Sequence, residues 1–338
     1  MRFSTNAALA RRLGLTLATP EDLTIRRHKH GKGWRFTGPR GRTIRDAPTL
    51  TRLRRLAMPP AYEEVFYAAD PKAHLQAVGR DDAGRLQYRY HPDWEKARDL
   101  RKAQHLASLA NCLPKIRHAL AARLKQKELS KEFALAAVAE LTAIAAIRAG
   151  SEEYAKAHHT RGAATLLKRD VRQEGDVLLL SFRAKGGKQI HKQVKDARLC
   201  AAIRRLRTLP GARLFQYRAG GAIYPVAARD VNLFLKEIAG EAVSLKDFRT
   251  LCATSQVLCA LAGLEPAASV RGRKMQINAA IAAAAQSLEN TPAVCRRSYV
   301  HAGVLEAFEK GQLTGLASPR QTSGPAAIKA VLQVMEAA

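Results

Sequence analysis

Tyr299 closes the run Asn290-Thr-Pro-Ala-Val-Cys-Arg-Arg-Ser-Tyr299, which brings a side-chain amide, two adjacent guanidinium groups and a phenol into one short stretch. A phenol becomes a nucleophile when nearby groups accept its proton or stabilise its anion. Pro292 suits the first position of a helix and Thr291 suits its N-cap, so the run reads as a helix with Tyr299 about two turns in. Taken alone, a tyrosine behind Arg296 and Arg297 reads first as a surface aromatic on a basic helix.

Three other places carry chemistry of the same kind. Arg148 follows the apolar stretch Phe133–Ile147, a helix capped by Ser130 that is apolar on nearly every face and therefore buried. With Gly150 as a helix stop, a cation there complements the helix dipole, which is a sufficient structural account of it. Lys185 and Lys188 flank two glycines in Ala-Lys-Gly-Gly-Lys, a hairpin turn whose lysines are solvated or reach over a bound backbone. In Ser244-Leu-Lys246-Asp247-Phe-Arg249-Thr250, Ser244 and Asp247 form a capping box that starts a helix running to about Ala262. Helical spacing turns Phe248, Leu251, Cys252, Ser255 and Cys259 inward and leaves Lys246, Arg249 and Thr250 on the opposite face. Cations in a first turn oppose the dipole, and an anion such as phosphate bound at the helix start removes the conflict.

The elements that must position these groups fall into two regions. Residues 23 to 90 read as short strands and turns, including Leu23–Arg27, Gly33–Phe36 and Gln87-Tyr88-Arg89-Tyr90-His91. Tyr88 and Tyr90 share one strand face, where they pack into a core or meet sugar and base edges. From Asp93 to about Gln126 the period becomes helical, which places the domain boundary near 92–100. Residues 163–194 read as three antiparallel strands, Ala163–Val171, Val177–Phe182 and Gln189–Val194. Helices follow near 197–207, on the stripe Val231, Phe234, Leu235 and Ile238 that Gly240 ends, and at 276–288. The fold class is α+β: a small antiparallel β-rich domain over 1–95, then a larger, mostly α-helical domain over 96–313 carrying a three-stranded β-sheet. A linker and a helix from Ala326 occupy 314–338.

Composition narrows the partners. The 338 residues hold 57 Lys+Arg against 29 Asp+Glu, a net charge of +28, and residues 1–100 already hold 20 basic against 11 acidic side chains. An excess this large in both regions favours a polyanion, with nucleic acid first among them. Five cysteines at 112, 200, 252, 259 and 295 form no Cys-x-x-Cys pair, which indicates reduced thiols in a cytosolic compartment and argues against zinc. The longest wholly apolar run, Ala279–Ala285, is far short of the roughly 20 residues that span a membrane.

Together, Ile-Arg148-x-Gly, the Lys185 hairpin, Lys-Asp-Phe-Arg249-Thr and Asn-Thr-Pro-x-x-x-Arg-Arg-Ser-Tyr299 resemble the poxvirus-like and bacterial type IB DNA topoisomerases. The resemblance extends from about Leu23 to His301 and includes Met58-Pro-Pro-Ala-Tyr62 and Gln-Tyr-Arg-Tyr-His. It implies a β-rich domain and a helical catalytic domain that close as a clamp on duplex DNA, acting as a monomer in the bacterial cytoplasm, at the nucleoid. It implies Tyr299 as nucleophile, Arg148 and Arg249 on the non-bridging phosphate oxygens, and Lys185 as general acid for the departing 5′ oxygen. Asn290 stands where poxvirus members have histidine; it implies a hydrogen-bond donor that does not titrate near neutrality. Gln87, Tyr88, Tyr90 and Lys246 match DNA-contacting positions. No metal, ATP or other cofactor is implied. The alternatives are a tyrosine site-specific recombinase, which carries His-x-x-Arg where this chain has Lys246-Asp-Phe-Arg249, and a non-enzymatic nucleoid-binding protein.

Overall fold

The computed structural model describes residues 6–313 and 329–334. The N-terminal region is built on a five-stranded antiparallel sheet. Helix α1 (Asn6–Arg12) precedes β1 (Ile25–His30) and β2 (Gly33–Thr37). Helix α2 (Ala47–Arg55) separates them from β3 (Glu63–Tyr67), β4 (Leu75–Arg80) and β5 (Leu86–Tyr90). The order across the sheet is β2-β1-β3-β4-β5. Asp46 caps α2 by accepting the Thr49 N–H, and Leu53 anchors that helix on a core of Ile25, Phe36, Val65, Tyr67 and Ala77. Arg27 lies over the Trp34 ring and donates to the carbonyls of Met58, Pro59 and Tyr62, so the Met-Pro-Pro-Ala-Tyr loop is held by a guanidinium rather than by a ladder.

Helix α3 (Pro92–Leu124) follows, and the chain divides into compact units within it, after Lys102. The second unit continues with α4 (Lys131–Ala145), α5 (Glu152–His158), the sheet β6 (Val171–Glu174), β7 (Val177–Arg183) and β8 (Gln189–Lys195), and α6 (Ala197–Leu206). The small hairpin β9 (Gln216–Ala219) and β10 (Ala222–Pro225) leads to α7 (Ala228–Ala239), α8 (Leu245–Ala262), α9 (Val270–Ser287), α10 (Pro292–Tyr299) and α11 (Ala302–Glu309). The α+β architecture read from the sequence is the one the chain adopts. Ser130 caps α4 as expected, and α4 is buried from Phe133 through Ala139, which makes it the axle of the second unit's core.

Two local readings are corrected. Residues 163–170 are not a strand: they form two 3-10 turns, Ala163–Thr165 and Lys168–Asp170, and the sheet begins at Val171. The reason lies at Gly162, treated below. The helix before Arg148 ends at Ala145, with Ala146 in the left-handed region at φ 51°, so Arg148 lies in the segment beyond the helix and Gly150 is not its stop. The expected helix from Ala326 lies largely outside the described residues; Lys329–Val334 are helical.

Candidate active site

Helix α10 is short and rigidly started. Thr291 accepts the Val294 N–H, Pro292 occupies the first helical position, and Tyr299 is the last helical residue. Thr254 of α8 donates its hydroxyl to the Tyr299 carbonyl at 3.0 Å and accepts the His301 N–H at 3.2 Å, so the exit of α10 is pinned to α8. The Tyr299 side chain is buried, 9% exposed, and faces three cations. The Arg249 guanidinium lies 4.9 Å from its ring centroid and the Lys246 ammonium 6.0 Å. Burial pushes the phenol toward the neutral form, but the charges of Arg249, Arg148 and Lys246 outweigh it and bring the pKa below that of an ordinary tyrosine.

Arg249 corrects the sequence reading of α8. Instead of sharing with Lys246 a face opposite the core, it is 3% exposed and Thr250 is 2% exposed, while Lys246 alone of the three is exposed. The capping box is formed: Asp247 accepts from both the backbone N–H and the hydroxyl of Ser244 at 2.8 Å. Arg249 donates to the carbonyls of Ala146 and Leu288, the C-cap residues of α4 and α9. Helix C-terminal carbonyls carry partial negative charge, so they offset the burial of this guanidinium.

Arg148 donates to Asn290 Oδ1, which joins the segment after α4 to the turn between α9 and α10. Arg249 Nε and Asn290 Nδ2 are buried donors with no hydrogen-bond partner among the described residues. A buried donor without a partner is chemically suited to an acceptor such as an anion's oxygen.

The position of Arg148 is set by a close backbone crossing. Ala163 and Ala164 donate to the carbonyls of Arg148 and Ala149 at 2.8 and 2.9 Å. A Cβ on Gly162 would lie 2.4 Å from the Gly150 nitrogen and 2.6 Å from the Arg148 oxygen, and Gly150 itself has φ +90°. Both glycines are therefore required by proximity as well as by conformation. This crossing folds residues 163–170 into turns instead of an extended strand. Gly162→Ala is expected to displace Arg148, to cost about 1–3 kcal/mol of stability, the range for overpacking, and to slow any reaction at Tyr299. Gly263→Ala, where the added Cβ meets nothing within 4 Å, serves as the control in thermal unfolding and in adduct-formation assays.

Lys185 sits in the β7–β8 turn, where Gly186 and Gly187 both have positive φ and Ala184 donates to the Lys188 carbonyl at 2.7 Å. Its ammonium lies over the Tyr154 ring at 5.1 Å rather than against Tyr299. Lys188 reaches the Glu289 carbonyl at 3.4 Å, which ties the turn to the residue before Asn290. The structure thus gathers Tyr299, Arg249, Arg148, Asn290 and Lys246, and holds Lys185 on a neighbouring hairpin.

In the N-terminal unit, Tyr88 and Tyr90 stack with ring centroids 6.2 Å apart, and Tyr88 is 40% exposed. Tyr90 packs instead toward His74 and under Arg98, and Gln87 donates to Asp81. One strand face therefore divides between packing and exposure.

Sequence reasoning passed over Thr254 and Lys192. Thr254 gives no pattern signal inside a helix; Lys192 does, because it occupies the inward phase of β8 between Ile190 and Val194.

Comparison with known proteins bears on the same residues. The family model for the eukaryotic DNA topoisomerase I catalytic core matches residues 91–316, and that for the bacterial DNA topoisomerase IB N-terminal domain matches residues 33–81. A protein of Acanthamoeba polyphaga mimivirus, described as DNA topoisomerase 1B, is 29% identical over 268 residues, covering 77% of this chain and 80% of the viral protein.

Proposed function

This chain belongs to the type IB DNA topoisomerase family, and we propose that it relaxes supercoiled duplex DNA by transient cleavage of one strand through Tyr299. The phenolate oxygen attacks a backbone phosphorus, a P–O bond to the new 3′-phosphotyrosine forms, and the bond to the 5′ oxygen breaks. Lys185 delivers the proton that the departing 5′ oxygen takes up. Strand rotation follows, and attack of the 5′-hydroxyl on the phosphotyrosine reverses the exchange. One phosphodiester is traded for another, so the step requires no ATP.

The single observation that carries this reading is the pairing of an acidified, buried phenol with unpaired donors on Arg249 and Asn290. Arg148 and Arg249 are assigned to the non-bridging oxygens, where planar forks stabilise the charge of a pentacoordinate transition state. Asn290 Nδ2 supplies a further donor. Lys185 reaches the leaving oxygen by movement of its glycine-rich turn away from Tyr154. The region over 96–313 is the catalytic domain. That over 1–95, with Gln87, Tyr88 and Tyr90, is a DNA-clamp domain for double-stranded DNA, and Lys246 is a DNA contact of the catalytic domain. The protein works as a monomer, in the cytoplasm at the nucleoid, with double-stranded DNA as its partner.

The deciding experiment is plasmid relaxation in EDTA without nucleotide, followed by a denaturing gel. Relaxation with a 3′-linked protein–DNA adduct is expected. A strict magnesium or ATP requirement overturns the mechanism, and an adduct without relaxation points to site-specific recombination.

A further inference from the structure

Lys192 is the inward-facing lysine of β8, and its ammonium donates 2.7 Å hydrogen bonds to the carbonyls of Ala145 and Ser287. Those are the last residues of α4 and α9. One residue further along both segments, Arg249 bridges the carbonyls of Ala146 and Leu288. Two residues beyond that, Arg148 donates directly to Asn290. The ends of the two helices are thus joined by three rungs in matching register, 145 to 287, 146 to 288 and 148 to 290, and two of the three are cations from other elements.

The charges account for this arrangement. Each helix C-terminus carries roughly half a negative charge, and the last carbonyls of the two ends, which have no partner within their own helices, converge on the same side chains. Lys192 and Arg249 neutralise them in tandem. Burial pulls the Lys192 ammonium toward the neutral form, as does Arg249, while Cys252 and Glu289 oppose them. An aliphatic side chain between Ile190 and Val194 would carry no such cost, so the lysine is there for its charge.

The rungs also differ in what the reaction asks of them. Arg249 must give some of its donors to a phosphate, and Arg148 must do the same, which loosens their hold on the helix ends. Lys192 lines the same cavity as Arg148 and Arg249, but its hydrogen bonds go to the two helix-end carbonyls.

We propose that Lys192 is a positioning residue of the transesterification site, locking the ends of α4 and α9 in register so that Arg148, Arg249 and Asn290 meet one phosphate together. The inference rests on the reading of those three residues as phosphate-binding groups. It does not give Lys192 any contact with DNA.

The test is single-turnover adduct formation on a short duplex by the full chain and by Lys192→Met and Lys192→Arg. DNA affinity is measured in parallel with Tyr299→Phe present in each. A misplacement of about 1 Å costs on the order of 10²-fold in rate, and a loss of about that size is expected for Lys192→Met, with DNA affinity within about threefold of wild type. Lys192→Arg, which retains a cation able to bridge two carbonyls, recovers most of the rate. In an Asn290→Ala background Lys192→Met costs much less, because groups acting as a unit are not additive.

Adduct formation by Lys192→Met within about threefold of wild type overturns the proposal. So does a rate loss that multiplies fully with that of Asn290→Ala, or one matched by lost DNA affinity. If Lys192→Met does not fold, Lys192→Gln, whose amide still satisfies one carbonyl, is read by the same criteria. Absence of adduct in the wild type would defeat the phosphate-site reading instead, and is seen before any variant is compared.

Discussion

Tyr299→Phe is expected to abolish both relaxation and the covalent protein–DNA adduct while leaving DNA affinity and thermal stability near wild type. The substitution removes one oxygen and keeps the ring that Arg249 and Lys246 face. The backbone of Tyr299 is held independently, through Thr254, so α10 has no reason to move. Deleting a covalent nucleophile removes a pathway rather than weakening one, and a fall of about 10⁴-fold or more is the appropriate scale. Relaxation assays, a denaturing gel for adduct and a filter-binding titration separate the two effects. Relaxation that persists in Tyr299→Phe would sink the nucleophile assignment and favour a DNA-binding protein that changes topology by wrapping alone.

Arg249→Ala should be the next most damaging change, because this guanidinium does three things at once. It is assigned to the phosphate, where loss of one preorganised donor costs on the order of 10²–10³ in rate. It satisfies the Ala146 and Leu288 carbonyls, which would be left unpaired at the ends of α4 and α9. It is also foremost among the charges that lower the Tyr299 pKa against the effect of burial. With Arg249 gone, burial is less opposed and the phenol pKa rises; ultraviolet difference titration against Tyr299→Phe reads that shift directly. The sign is fixed: a phenol below the ordinary value near 10 in wild type, and above its wild-type value in Arg249→Ala. Arg249→Lys should recover only part of the rate, since a point charge cannot span two carbonyls and a phosphate as a planar fork can. A variant with unchanged phenol titration and wild-type cleavage would show that Arg249 is structural only.

Much of this site is visible along the chain because its determinants are local. Thr291 and Pro292 start α10, Ser244 and Asp247 start α8, and the Lys-Gly-Gly-Lys turn closes β7 on β8, each through groups a few residues apart. Capping and turn chemistry depend on nearest neighbours, so residue types suffice to place them. The α+β division was legible for the same reason, since the period changes from two to helical near the start of α3.

What had to be supplied by packing is equally particular. Helical spacing put Arg249 on the face opposite the core, yet the converging ends of α4 and α9 cover it, and burial of a cation is decided by acceptors more than a hundred residues away as well as near ones. Residues 163–170 have a strand's composition but turn, because Gly162 must pass within van der Waals contact of the Arg148–Gly150 backbone. The phase of β8 turns Lys192 inward, but the two helix ends that meet at its ammonium come from residues 145 and 287, far from it in the chain. The chain's own order thus determined which groups exist and which short elements carry them: a phenol, a set of cations and an amide, on capped helices and a tight turn. Their meeting was decided by long-range contacts between α4, α8, α9 and α10, because hydrogen bonds between helix ends and side chains distant in the chain have no signature in local spacing.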